Sequence, residues 1–474
     1  MLRSKDIFRK YDIRGIYGES LTEGVAEDSA RAFATQVIDE TGKNTPTISV
    51  GRDVRSSSIH LFKAVCKGLT ESGVNVIDLG VCPSPLTYFS MHSENTDGYM
   101  MITGSHNPSE FNGIKVGTKN TVFHSEKIEQ IYNYIINKNF PKADKPGGVK
   151  AVDIIPKYIS YIVDHFRNLA EDIKDIPVRV VLDSGSGTAS EIAPEIFRKL
   201  GAEVFELYCK PDGNFPGHHP DPTVESNMAE AKEILLSNDA DLAVGYDGDA
   251  DRLGALNSNG EMIWGDQLIC IFADSIAKDY QGSKVVADVK ASRGLYEFIE
   301  SIGMKPVMYL SGHSMIKVKM KEVSAIIGGE MSSHFFFSDR YYGYDDGIYA
   351  SLRLLEAYVN KKKAGKISRS SELTDNIPKY INTPEIREKC PDNVKFKIVS
   401  ELKKKLADQN ITDVIDIDGL RVNFENGWAL VRASNTEPLL VTRYEAVNAE
   451  AFDKIKSFIT KMIKEIEDDI QKRV

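Results

Sequence analysis

Four stretches of this chain bring reactive side chains close together. In MMITGSHNPSEFNGIK (100–115) an apolar run ends at Thr103, and Gly104 permits a tight turn. Ser105 then projects from an exposed loop beside His106, with Lys115 following an Asn-Gly turn. Such a segment is either an ordinary Gly/Ser/Asn/Pro turn or the seat of a serine that carries a phosphoryl group with cations nearby. A hydrolase nucleophile is disfavoured because GxSxG is absent. In DLAVGYDGDADRLG (241–254) a buried strand delivers Asp247, Asp249 and Asp251 at alternate positions, with Arg252 immediately after. Three carboxylates this close repel one another unless a cation binds them, and hard oxygen ligands suit Mg²⁺. An EF-hand is excluded, since the sixth position is Arg252 and the twelfth is Ser258.

GGEMSSHFFF (328–337) reads as an extended segment in which Glu330, Ser332 and His334 share a face and could hydrogen-bond sugar hydroxyls. The plainer reading is an edge strand with a polar face. VRASNTEPLLVTRYEA (431–446) gathers Arg432, Ser434, Asn435 and Thr436, with Arg443 further on. Guanidinium, hydroxyl, amide and loop N–H donors make an anion nest, and the segment reads as a phosphate clamp or as a capping turn. FRKYDIRG (8–15) adds Arg9, Lys10 and Arg14. DSGSGTAS (183–190) has the wrong spacing for a dinucleotide fingerprint and is assigned no cofactor.

The elements that must hold these loops repeat three times. TISVGRDVRSSS (47–58) with SGVNVIDLG (72–80), VRVVLDSGSGTAS (178–190) with LGAEVFELY (200–208), and KVVADVKASRG (284–294) with IGMKPVMYL (302–310) share one pattern. Each is an apolar strand ending near an Asp, a polar loop, a helix, then a Gly and a second strand. Apolar runs alternating with helices predict βαβ units and mainly parallel sheets. The segments KADKPGGVK (142–150), NSNGE (257–261) and KKKAGKISRSSE (361–372) read as linkers, the last a flexible connector. Strands around Asp-Gly and Asn-Gly turns then predict antiparallel hairpins. The expected architecture is α/β, with three related domains (1–148, 149–256, 257–367) and an α+β C-terminal domain with an antiparallel sheet (368–474), around a central cleft.

Composition sets the surroundings. A length of 474 residues allows about three domains at roughly 150 residues each. Asp and Glu outnumber Lys and Arg by 69 to 59, a net charge of −10 that disfavours nucleic-acid or anionic-membrane binding. Five Cys without CxxC pairs fit a reducing compartment. No apolar run approaches the roughly 20 residues of a membrane helix, and the charged start is no secretory signal. A cytoplasmic protein is expected.

Taken in order, TGSHNP, DGDADR, GEMSSH and RASNTEP resemble the α-D-phosphohexomutase family over the whole chain, one motif per domain. The GEMS form of the third loop, with DVK (288–290), GHS (312–314) and YGYDDG (342–347), is most similar to the bacterial phosphomannomutase/phosphoglucomutase branch. Ser333 departs from that pattern, which has Gly there. The resemblance implies a phosphohexomutase interconverting hexose 1-phosphate and hexose 6-phosphate of mannose and glucose. It implies a phosphoserine at Ser105 and one Mg²⁺ held by Ser105, Asp247, Asp249 and Asp251. A hexose 1,6-bisphosphate serves as intermediate and activator, and Arg252 neutralises charge. Lys115, His313 and Arg14 are candidates for proton transfer, with His106 beside the nucleophile. Lys290, Glu330, Ser332, His334, Arg432, Ser434, Asn435, Thr436 and Arg443 are expected to bind substrate. The partner is a small phosphosugar, and the working unit is a monomer.

Overall fold

The computed structural model describes residues 5–119, 123–434 and 438–472. All three predicted βαβ repeats are present. Thr47–Arg52, the helix Ser58–Glu71 and Asn75–Val81 form the first. Arg179–Asp183, Ile192–Lys199 and Glu203–Leu207 form the second. Lys284–Asp288, Arg293–Ser301 and Lys305–Tyr309 form the third. Each strand pair is parallel, as a helical crossover requires. The first strand of each pair is buried on both faces, which is why it shows no alternation, whereas the second strands are only partly buried.

Each parallel core is extended by antiparallel strands, giving mixed sheets. Gly98–Ile102 lies parallel to Thr47–Arg52, and Phe111–Thr118 returns antiparallel beside it. Leu242–Tyr246 adds parallel to Arg179–Asp183, with Leu253–Leu256 returning antiparallel. Ile327–Gly329 and Phe335–Phe337 do the same in the third sheet. The returning hairpins are where Ser105, the triple-Asp loop and GEMSSH sit. The fourth sheet is antiparallel throughout, built around Leu420–Phe424, Gly427–Ala433 and Leu439–Ala446. It is covered by the helices Asp392–Asp408 and Ala449–Lys472.

One hydrophobic cluster runs from Leu79 to Ile377 and joins the first three units, whereas the fourth has its own core between Cys390 and Ile466. Aromatic rings stitch the first three together. Phe89 of the first unit packs edge-on against Tyr158 of the second at 5.6 Å, and His92 of the first stacks on Tyr342 of the third at 3.9 Å.

Three expected linkers behave differently from their sequence reading. Val149–Ala151 pairs with Asn75–Val81, so the chain stays in the first sheet beyond residue 148. NSNGE is a turn, as its Asn and Gly indicate, but it closes a hairpin between Leu253–Leu256 and Met262–Ile263 and does not link two domains by itself. KKKAGKISRSSE begins inside a helix and makes several ion pairs to other parts of the chain. The helix Gly347–Lys363 carries its lysines into ion pairs with Asp274, Asp241 and Asp172, and Arg369 reaches Asp239. Composition marks such a segment as solvated, and Lys363 and Arg369 are indeed about half exposed, but composition does not show their distant carboxylate partners. Among the described residues no helix is long and apolar enough to cross a membrane.

Candidate active site

Ser105 lies where the strand Gly98–Ile102 has ended, at a left-handed φ of 49°. It is buried, 3% exposed, which corrects the expectation of an exposed loop. Its Oγ donates to Asp247 Oδ2 at 2.6 Å and lies 3.2 Å from His106 Nδ1. The strain of that φ is held by a residue 50 positions upstream. Arg55 spends all five N–H donors on its surroundings. It reaches the carbonyls of Ser105 (2.9 Å), Asn107 (2.5 Å), Pro108 (2.5 Å) and Phe111 (3.1 Å), and Asp53 Oδ2 (3.1 Å). Asp53 in turn accepts from the Gly104 N–H at 3.0 Å. A Cβ at Gly104 would meet Arg55 Nε at 2.4 Å, so only glycine lets the guanidinium in.

The repeated Asp at each parallel strand end does similar work. Asp288 accepts from Ser311 Oγ at 2.9 Å and from the Met331 N–H, fixing the third loop. Asp183 accepts from the Gly185 N–H at 2.9 Å and pairs with His218 at 2.9 Å. These roles were invisible in the motifs themselves, although the repeat displays the aspartates.

Leu242–Tyr246 delivers Asp247, Asp249 and Asp251 side by side, all at most 1% exposed. One ligand oxygen from each lies within 4.8 Å of the others. Lys115 bridges two of them, with Nζ 2.6 Å from Asp249 Oδ2 and also bonded to Asp251. Burial, Asp251 and Asp249 push the Asp247 carboxyl well above the usual range. Burial also works against Asp251, but Lys115 and His334 hold it well below. The same carboxylates outweigh burial at Lys115 and keep its ammonium charged. Asp249 Oδ1 is buried with no hydrogen-bond partner among the described residues. A buried orphan oxygen in a triad of hard ligands fits a divalent cation.

GEMSSH is not the extended row expected from its alternation. Residues 330–334 turn between Ile327–Gly329 and Phe335–Phe337, with the Ser333 N–H bonded to the Glu330 carbonyl at 2.9 Å. Ser333 takes a φ of 67°, and this left-handed residue is what breaks the period of two. The three polar residues still converge, by folding back. Ser332 Oγ donates to Glu330 Oε1 at 2.6 Å, and His334 Nδ1 lies 2.7 Å from the same oxygen. His334 Nε2 lies 3.3 Å from Asp251 Oδ1, so one imidazole links this loop to the triple-Asp loop. Burial opposes its charge, yet Asp251 and Glu330 raise it to about 9. Glu330 is held well below the carboxylate range despite burial.

The other candidates divide. Arg252 Nε is 3.9 Å from Asp247, and Arg14 pairs with Asp12 and Asn107. His313 Nδ1 is 3.1 Å from Asp345, and burial holds its pKa below the usual value. Lys290 Nζ lies 3.0 Å from Glu385 Oε1. Arg432 Nε reaches Asp418 Oδ2 at 2.8 Å, and the Ser434 N–H bonds the Leu439 carbonyl. Asn435 and Thr436 lie outside the described residues. Arg443 is elsewhere: it donates to the Lys290 carbonyl and lies against Trp428, so it fastens the third domain to the fourth. Its place in a strand with alternating polar residues concealed that inward direction. Tyr11, overlooked in the sequence, donates to the Ser311 carbonyl at 2.7 Å across 300 residues.

Comparison with known proteins covers the whole assembly. Models of the phosphoglucomutase/phosphomannomutase alpha/beta/alpha domains I, II and III match residues 5–142, 156–260 and 264–380, and that of the C-terminal domain matches 385–462. The chain is 38% identical to a phosphoglucomutase of Neisseria gonorrhoeae over 96% of each chain. It is 37% identical to a phosphomannomutase/phosphoglucomutase of Pseudomonas aeruginosa, over 98% of this chain and 96% of the other. A solved phosphoglucomutase/phosphomannomutase family protein from Burkholderia thailandensis superposes with a TM-score of 0.88 at 33% identity over 98% of each chain.

Proposed function

This chain belongs to the phosphoglucomutase/phosphomannomutase family, and we propose that it interconverts hexose 1-phosphate and hexose 6-phosphate through a phosphoserine at Ser105. The observation that supports this best is the 2.6 Å contact between Ser105 Oγ and Asp247 within the buried aspartate triad. Asp247, Asp249, Asp251 and a Ser105 phosphoryl oxygen would hold Mg²⁺. Bound there, Mg²⁺ supplies Lewis-acid charge neutralisation at the phosphoryl group.

The chain's own residues account for the rest. A sugar hydroxyl loses its proton to His313, whose burial favours the neutral, proton-accepting imidazole. The sugar oxygen forms a bond to phosphorus, the bond from phosphorus to Ser105 Oγ breaks, and Oγ takes up a proton. Arg252 balances the moving charge. The resulting 1,6-bisphosphate turns around and returns its other phosphate to Ser105. Glu330 accepts from the O3 and O4 hydroxyls, which mannose and glucose share, so both sugars are substrates. Lys290 and Arg432 hold the phosphate that is not reacting. Lys115, charged in place, neutralises Asp249 and Asp251.

Five thiols without disulfide partners support a cytoplasmic location. The test is conversion of mannose 1-phosphate and glucose 1-phosphate to their 6-phosphates. Isomer formation without free phosphate is expected. Stoichiometric phosphate release would make the protein a phosphatase instead.

A further inference from the structure

The two cations assigned to the non-reacting phosphate are paired inside the protein, whereas a third lysine, Lys10, is not. Arg432 has Asp418 and Lys290 has Glu385. Lys10 is half-buried, and its ammonium has no hydrogen bond or ion pair among the described residues. It sits 5.4 Å above the ring of Tyr11.

The loop that carries Lys10 is held in place. The Ser125 N–H bonds the Lys10 carbonyl at 2.7 Å, and the Arg9 N–H bonds the Asp12 carbonyl at 2.9 Å, so the loop backbone is set. Tyr11 Oη donates to the Ser311 carbonyl, and the Ser311 N–H reaches Asp418 Oδ2 at 3.4 Å. Asp418 holds Arg432. A short chain therefore ties the Lys10 loop of the first domain to the clamp arginine of the fourth. Burial lowers the Lys10 pKa; Asp418 offsets this in part, and the charge of Arg432 reinforces it. Asp418 already has Arg432 as its bonded partner, and the Lys10 ammonium, held over Tyr11, has no carboxylate bonded to it among the described residues. A half-buried ammonium without a counter-ion, on a loop tied to the clamp arginine, is suited to receive an anion.

We propose that Lys10 is a phosphate ligand, the first-domain half of a two-sided clamp that closes with Arg432 on the non-reacting phosphate of the sugar. The inference rests on the mutase reading for the identity of that ligand. Lys acts here as a point charge on a flexible stem, while Arg432 supplies the directed donors. Because the two cations belong to different domains, a shared phosphate couples binding to approach of the fourth domain.

The full chain is tested with Lys10→Met, which keeps the stem, and Lys10→Arg, which keeps the charge. Calorimetry reads binding of glucose 6-phosphate without turnover, and steady-state kinetics read the KM for glucose 1-phosphate. Lys10→Met is expected to weaken both about tenfold, with an unchanged unfolding midpoint. Lys10→Arg should stay within about threefold of wild type. Wild-type affinity in Lys10→Met would overturn the proposal, and so would Lys10→Arg failing as badly as Lys10→Met, which would indicate packing. A wild type that binds glucose 6-phosphate but does not isomerise glucose 1-phosphate would overturn the mutase reading alone, and the affinities would still decide Lys10.

Discussion

Replacing Arg55 by Lys tests how the serine loop is held. Arg55 touches no group expected to contact sugar, yet it bonds four carbonyls between Ser105 and Phe111 as well as Asp53. A lysine has three donors on one nitrogen and cannot span that fork. If it keeps Asp53 and two carbonyls, two charge-assisted bonds are lost, at roughly 1.5 kcal/mol each or about 3 kcal/mol together. In a domain of about 150 residues that lowers the unfolding midpoint by roughly 6–12 °C. The catalytic effect should be separate. Ser105 is released from its left-handed backbone, and a shift of about 1 Å in a reacting atom costs on the order of 100-fold. We expect kcat to fall about 10- to 100-fold while KM for glucose 1-phosphate changes less than about threefold, measured below the midpoint of the variant. A variant with a lowered midpoint but wild-type kcat would refute the idea that Arg55 positions the serine. A variant that raised KM alone would place Arg55 at the sugar instead.

Further outcomes are expected at other points. Asp249→Asn should weaken Mg²⁺ binding, read by titration calorimetry, and cut turnover far more than it lowers the unfolding midpoint; activity that survives exhaustive chelation would remove the metal from the scheme. Glu330→Ala should lower kcat/KM for mannose 1-phosphate and glucose 1-phosphate to a similar degree, and the wild-type values should lie within roughly tenfold, about 1.4 kcal/mol. A preference of several hundredfold would mean that C2 is read, with Ser333 the first suspect. His218 has its pKa raised: burial lowers it, but the bond to Asp183 outweighs burial. Its contribution to stability is complete below its unfolded value of about 6.5 and is lost as pH rises through the higher folded value. The difference in midpoint between wild type and His218→Gln should therefore shrink above pH 6.5, and a difference that grows there would contradict the pair.

Much of the site was legible because strand ends and polar loops adjoin in sequence. A buried run that meets Asp247, Asp249, Asp251 and Arg252 announces a charged cluster at a sheet edge, and the repeated Asp at 53, 183 and 288 announces the βαβ units. What was hidden depends on contacts remote in sequence. Arg55 holds a loop 50 residues away, Ser84 bonds Asp249 across 165, and Tyr11 meets Ser311 across 300. No local pattern encodes such partners. The turn at Ser333 defeated the period-of-two reading because one left-handed residue reverses the chain. The Lys-rich segment after Val359 looked flexible because its carboxylate partners lie in three other elements.

The central claim is that the phosphoryl group resides on Ser105 and passes directly to the sugar. The direct measurement labels that group, mixes the labelled enzyme with glucose 1-phosphate, quenches within one turnover and maps the label by mass spectrometry. The account predicts label on Ser105 at the start, then in glucose 1,6-bisphosphate and glucose 6-phosphate, with none in free phosphate, and no labelling of Ser105→Ala. Label appearing as free phosphate, or a Ser105→Ala enzyme that still isomerises glucose 1-phosphate at near-normal rate, would contradict it.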